Sequence, residues 1–213
     1  MKKILVVVSH ADDETLGMGG TIYRHNQAGD KVFVISMTDG VGSRENKTNS
    51  AFSERLLAAE EASRVLAFEW LSGENFPDNA MDTVGLLEIA KRIEAAKSIV
   101  SPNIVYTHSH ADLNVDHQLT CKGVLTAFRP QPEEICEEIR TFEIPSSTDY
   151  GHPSITGSFN PNLYIDITNT WHKKQLALKC YRTEMRASPH ARSLDGLESL
   201  AKLRGRQCGI EFA

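Results

Sequence analysis

Cysteine is scarce in this 213-residue chain, and its four copies, Cys121, Cys136, Cys180 and Cys208, form no Cys-x-x-Cys pair. That spacing indicates neither a thiolate zinc knuckle nor a disulfide scaffold, and it suits reduced thiols in a cytoplasmic protein. Long hydrophobic runs are missing too. Nothing approaches the roughly 20 apolar residues of a membrane span. The start, Met1-Lys2-Lys3 before the five apolar residues Ile4-Leu5-Val6-Val7-Val8, is too short for a signal-peptide core and reads as a first strand. There is no basic excess: 23 Lys and Arg against 28 Asp and Glu leave a net charge of −5, which argues against a nucleic-acid partner. The two tryptophans, Trp70 and Trp171, read as core or interface. No internal repeat, low-complexity tract or linker divides the chain. With 40% hydrophobic and 24% charged residues, it reads as one globular domain over 1–213, a composition also compatible with a homo-oligomer.

What is present alternates between strand and helix. Strands are expected at 3–9, 32–37, 69–71, 104–107, 138–142 and 163–167. Helices are expected at 16–29, 53–67, 83–100, from about 117 to Phe128, 171–183 and 193–205. This order predicts an α/β fold of the Rossmann-like kind, a mostly parallel sheet with helices on both faces. Such sheets place ligands beyond the carboxyl ends of their strands. Two strands end there in acidic and histidine clusters, Ser9-His10-Ala11-Asp12-Asp13-Glu14 and His108-Ser109-His110-Ala111-Asp112-Leu113-Asn114-Val115-Asp116-His117.

His10 and Asp13 can reach one divalent ion from a tight turn, with Asp12 beside them as a spare carboxylate. Three nitrogen and oxygen ligands with an open position describe a catalytic zinc site, although iron(II), cobalt or manganese suits the same donors. The third ligand would come from His108, His110 or His117, and the residue types alone leave that choice open. Metal bound there acidifies a water to a pKa of roughly 7, and Asp12 can take its proton as it attacks a carbonyl. Asp116 can orient a histidine by accepting its second ring hydrogen. The competing account of each short motif is an exposed loop or a helix cap, with Asp13, Thr15 or Asp116 as the capping residue.

The stretch Ser9-His10-Ala11-Asp12-Asp13-Glu14 with Gly17-x-Gly19-Gly20 resembles the A-H-P-D-D-E signature of the PIG-L/LmbE family of zinc-dependent de-N-acetylases. Thr38-Asp39-Gly40, Asp116-His117, Lys174-x-x-Ala177-x-x-x-Tyr181 and Arg204-Gly205-Arg206 are similar to further parts of that pattern. The resemblance implies a Rossmann-like fold, zinc on His10, Asp13 and His117, Asp12 as general base, and an N-acyl amino sugar or related conjugate as substrate. Members of the family look as if they continue beyond Ile210-Glu211-Phe212-Ala213 into a further helical segment.

Two departures stand out. Ala11 replaces proline, and Asn114 stands where many members carry a histidine that stabilises the oxyanion. An asparagine donates a hydrogen bond but no proton, so His108 or His110 is the candidate to supply the missing imidazole. Substrate contacts are expected from Arg44, Arg55, Asn114, Ser147 and Arg192, with residues 142–150 forming a pocket-lining loop. A thiol conjugate or another small amide is the neighbouring alternative substrate. A different class, a nucleotide-binding module, would use Leu16-Gly17-Met18-Gly19-Gly20 as a phosphate turn.

Overall fold

Leu5 and Val7 point to one side of the first strand and Ile4, Val6 and Val8 to the other, and all five are fully buried. A strand covered on both faces needs such continuous apolar character. The computed structural model describes residues 1–43 and 49–213, with Asn49 and Ser50 described in their backbone only. Five strands, β1 (Lys3–Val8), β2 (Lys31–Ser36), β3 (Glu69–Trp70), β4 (Ile104–His108) and β5 (Glu138–Phe142), form one sheet in the order β3-β2-β1-β4-β5, every pairing parallel. The fold is the expected single-domain α/β arrangement.

Among the described residues, six α-helices cover the sheet: α1 (Asp13–Gln27), α2 (Asn49–Leu66), α3 (Leu86–Val100), α4 (Val115–Ala127), α5 (Trp171–Leu178) and α6 (Leu194–Cys208). Ile4, Val6 and Val8 pack with α1, α2, α5 and α6, and Leu5 and Val7 with α3 and α4. Trp171 closes the first layer by stacking on Phe212, ring centroids 5.1 Å apart. Among the described residues, no helix is long and apolar enough to cross a membrane.

Two expectations change. Residues 163–167 form no strand: Ile167 N–H donates to Phe212 O, and the Ile167 side chain packs against Gly20 rather than joining the sheet. Leu16 to Gly20 run through a kink in α1 at Met18 (φ −139°), and Gly17, Gly19 and Gly20 pack against Phe142, Lys174 and Ile167, so they make no open phosphate-binding turn. Gly17 instead permits close packing, because a Cβ there would stand 2.4 Å from the Phe142 ring.

The topology positions the site. From β1 the chain proceeds to β2 and β3 on one side, then crosses to β4 and β5 on the other, so β1 and β4 flank the switch point where crevices open in such sheets. Their register, Ile4 opposite Ile104 and Val7 opposite Thr107, brings both strand ends to one level.

Candidate active site

Three atoms converge beyond that level. His10 Nδ1 lies 3.2 Å from Asp13 Oδ2, and His117 Nε2 lies 3.3 Å from each of them. A tetrahedral metal with ligands at about 2.0–2.1 Å separates them by about 3.3–3.4 Å, so the trio already has a metal's spacing. His10 and Asp13 come from the turn between β1 and α1, and His117 from the first turn of α4. Burial opposes a charged His10, but the carboxylates of Asp116, Asp13 and Asp78 overcome it and hold the ring well above its ordinary pKa. Burial likewise opposes His117, which Asp13 and Asp112 raise to about 9. Asp13 is pulled well below the usual range against its burial, by the charge of His117 and by hydrogen bonds from His10 and His117. Such a cluster demands positive charge, and a divalent cation on these three atoms satisfies it.

Further carboxylates orient the rings. His10 Nε2 stands 3.2 Å from both Asp116 Oδ2 and Asp78 Oδ1, so it carries its hydrogen there and turns Nδ1 to the cluster. Asp116 therefore buttresses His10 of the first cluster. It is fully buried, and it accepts Asn79 N–H at 2.7 Å and Met81 N–H at 3.0 Å. Asp78 accepts the Ser43 backbone and hydroxyl hydrogens at 3.0 and 2.7 Å. These bonds leave Asp78 and Asp116 little capacity to ligate a second ion with His10, although the three residues are close enough to do so. His117 Nδ1 lies 3.1 Å from Asp112 Oδ2, an ion-pair distance without hydrogen-bond alignment.

Asp12 is the unusual residue. Its backbone has φ 152° and ψ −26°, a conformation that side chains other than glycine's rarely adopt. It stands at the N-cap of α1, yet its carboxylate makes no capping bond. Neither Asp13 nor Thr15 fills that position. Oδ1 accepts from Arg55 Nη2 at 2.9 Å, while Oδ2 is buried without a hydrogen-bond partner, 3.6 Å from Arg192 Nη1. Burial raises the Asp12 pKa, with Arg55 opposing. An unsatisfied buried carboxylate oxygen beside a cation site is placed to accept a proton.

The surrounding cleft holds about 230 Å³, and apart from Gly40 every residue that lines it is polar. Arg192 and Asn114 reach it. Asn114 is largely committed: it caps α4 by accepting Asp116 N–H at 2.8 Å, and its amide donates to Asn79 Oδ1 at 2.9 Å. Arg55 also reaches the cleft but is buried, and it serves Asp12, Ala11 O, Gly40 O and Glu184. Ser147 lies behind the cleft, its hydroxyl and that of Thr148 donating to Asp112. The 142–150 segment thus braces His117 through Asp112 rather than lining the cleft. Arg44 lies outside the described residues.

Neither candidate imidazole faces the cleft. His108 is fully buried, stacks on His117 at 3.9 Å and accepts Ser9 N–H through Nε2 at 2.9 Å. Burial and His117 push its pKa down to about 3, so the ring is neutral. His110 turns to a larger groove of about 570 Å³ between β5 and residues 158–165. Charged side chains there pair with one another, Arg140 with Glu138 and Arg204 with Glu143.

Sequence reasoning missed Asp78, Asp112, Glu14, Tyr181 and Glu184. Asp112 and Glu14 stand within the quoted clusters. Asp78 follows β3 at the same sheet edge, which was its available signal. Tyr181 stands in the Lys174-x-x-Ala177-x-x-x-Tyr181 stretch, whose resemblance assigns it no role, and Glu184 has no local signal at all.

A cluster able to hold one metal ion at the switch point of a parallel sheet is what this geometry defines. The family described as PIG-L, GlcNAc-PI de-N-acetylase, matches residues 5–128, and the chain belongs to it. Among curated proteins, it is 26% identical over 184 residues to the uncharacterized deacetylase YaiS of Escherichia coli K12, covering 83% of this chain and 88% of that protein. The fold is similar to that of N,N'-diacetylchitobiose deacetylase from Pyrococcus horikoshii, with TM-score 0.78, 21% identity, and coverage of 99% of this chain and 81% of the other. It is also similar to that of GalB, the 4-carboxy-2-hydroxymuconate hydratase of Pseudomonas putida KT2440, with TM-score 0.72, 22% identity, and coverage of 97% and 87%. The fold thus hosts more than one water-adding chemistry, so the reaction must be argued from the site.

Proposed function

We propose that this protein is a zinc-dependent de-N-acetylase that hydrolyses the N-acetyl amide of an amino sugar or sugar conjugate to free amine and acetate. The observation that carries the reading is the bare Oδ2 of Asp12 beside the His10, Asp13 and His117 trio. Family membership and the chitobiose deacetylase's fold support it. When bound, zinc or a similar divalent metal polarises the amide carbonyl and acidifies a water. Asp12 Oδ2 accepts that water's proton during attack on the carbonyl carbon and delivers it to the departing nitrogen as the C–N bond breaks. Arg192, partly exposed at the rim, donates to substrate oxygen and takes the place of the histidine that Asn114 replaces. Asp116, Asp78 and Asp112 hold the ligating rings.

The uniformly polar lining favours a polyhydroxylated ring over an apolar amide. The described cysteines are free, which suits a cytoplasmic setting. Incubating the zinc-loaded protein with a panel of N-acetylated sugars and nucleotide sugars, and measuring primary amine, tests the reading. Amine release by the wild type and its loss in Asp12→Asn are expected. Metal-loaded protein that releases no amine from any member overturns the sugar substrate.

A further inference from the structure

The turn that follows α5, Tyr181 to Glu184, reaches Asp12 along two separate routes. Glu184 N–H donates to Tyr181 O at 3.0 Å, which ties the two residues into one turn. Along the first route, the Tyr181 hydroxyl donates to Glu14 Oε1 at 2.8 Å, and Glu14 Oε2 accepts Asp12 N–H at 2.9 Å. Along the second, Glu184 Oε1 lies 3.2 Å from Arg55 Nη1, while Arg55 Nη2 donates to Asp12 Oδ1 at 2.9 Å. Tyr181, Glu14, Glu184 and Arg55 are all buried. Neither route touches Asp12 Oδ2.

The two routes do different things. The first holds the peptide N–H of a residue in a costly backbone conformation, of order 1–3 kcal/mol for such outliers, which persists only where its surroundings over-determine it. The second holds the carboxylate by one oxygen. Glycine at position 40, with φ +64°, allows it: a Cβ there would lie 2.8 Å from Arg55 Nε.

We infer that Tyr181 and Glu184 are positioning residues for Asp12, acting through Glu14 and Arg55 to aim Oδ2 at the reacting water. Both lie beyond residues 5–128, so part of the machinery belongs to the C-terminal third of the chain. The inference rests on Asp12 as the general base of the proposed reaction. Misplacing a catalytic group by about 1 Å can cost about 10²-fold in rate, which sets the scale.

The test uses Tyr181→Phe and Glu184→Gln in the full chain, each alone and combined with Asp12→Asn. In the single variants kcat is expected to fall about 10- to 100-fold with KM and bound metal unchanged, while Tm falls modestly because each change removes one buried hydrogen bond or ion pair. In the Asp12→Asn background neither change is expected to lower the residual rate further. Crystal structures of both single variants give a readout independent of turnover: residue 12 relaxes from φ near 152° in Tyr181→Phe, and its carboxylate rotates in Glu184→Gln. An Asp12 that keeps its conformation in both variants overturns the inference, whether or not a substrate has been found. So does a rate loss of equal size in the Asp12→Asn background, which marks a general structural effect. Failure of the deacetylase reading shows separately, as a wild type without turnover.

Discussion

Arg55 holds one oxygen of Asp12, Nη2 to Oδ1 at 2.9 Å, and leaves the other without a hydrogen-bond partner, 3.6 Å from Arg192 Nη1. The pair is a buried charge and its counter-charge, so removing the cation strands the anion. Arg55→Met is therefore expected to lower kcat and to destabilise the fold by about 3–5 kcal/mol. Gly40→Ala should do the same more mildly, by displacing Arg55. Steady-state kinetics and urea unfolding check both.

The carboxylates behind the rings should govern metal retention. Asp116→Asn and Asp78→Asn each replace a charged acceptor of His10 Nε2 by a neutral amide with a single acceptor oxygen. Each is expected to weaken metal binding about 10- to 100-fold. Competition with a chromophoric chelator measures this, and affinities equal to the wild type's would remove these residues from the site's support.

If Arg192 has taken over the missing histidine's place, Arg192→Met should lower kcat by about 10²- to 10³-fold. His110→Ala should leave kcat within about tenfold of the wild type, less than the loss expected of an acid/base group. The opposite ranking would restore His110 as the oxyanion partner.

Burial lowers the Lys174 pKa to about 8, with Glu143 opposing. Below that pH the ammonium is charged in both folded and unfolded chains, and burying it costs stability. Between about 8 and the unfolded value near 10.4 the unfolded chain binds more protons, so this group's contribution to stability rises with pH. Lys174→Met is expected to be more stable than the wild type at pH 7, and the gap should narrow towards pH 10. Chemical unfolding of both proteins at the two pH values isolates the effect.

Packing offers a test away from the chemistry. A Cβ at Gly17 would meet the Phe142 ring at 2.4 Å. Gly17→Ala should cost about 1–3 kcal/mol, read from the urea midpoint.

Much of the fold was legible because its signals are local. The five apolar residues of β1 and the Ile104-Val105-Tyr106-Thr107 run each mark a buried strand, and β5 spans the expected 138–142. The misread strand at 163–167 had the same local apolar character as a real one, but its residues pack on α1 and the C-terminus. At the site, His10, Asp12 and Asp13 were legible from one turn. The choice of His117 over His108 and His110 came from family resemblance, since the direction in which each ring faces depends on α4 and β4. Asp78 meets His10, and Tyr181 meets Glu14, only through tertiary packing across long stretches of sequence. No spacing rule connects such pairs.

The central claim is that one divalent metal on His10, Asp13 and His117 works with Asp12 on an amide. Metal content per chain, measured by mass spectrometry after zinc loading and dialysis, tests it most directly when followed through two variants. The expected result is one zinc per chain in the wild type and in Asp12→Asn, and none in Asp13→Ala. Zinc retained in Asp13→Ala at the wild-type level would contradict it.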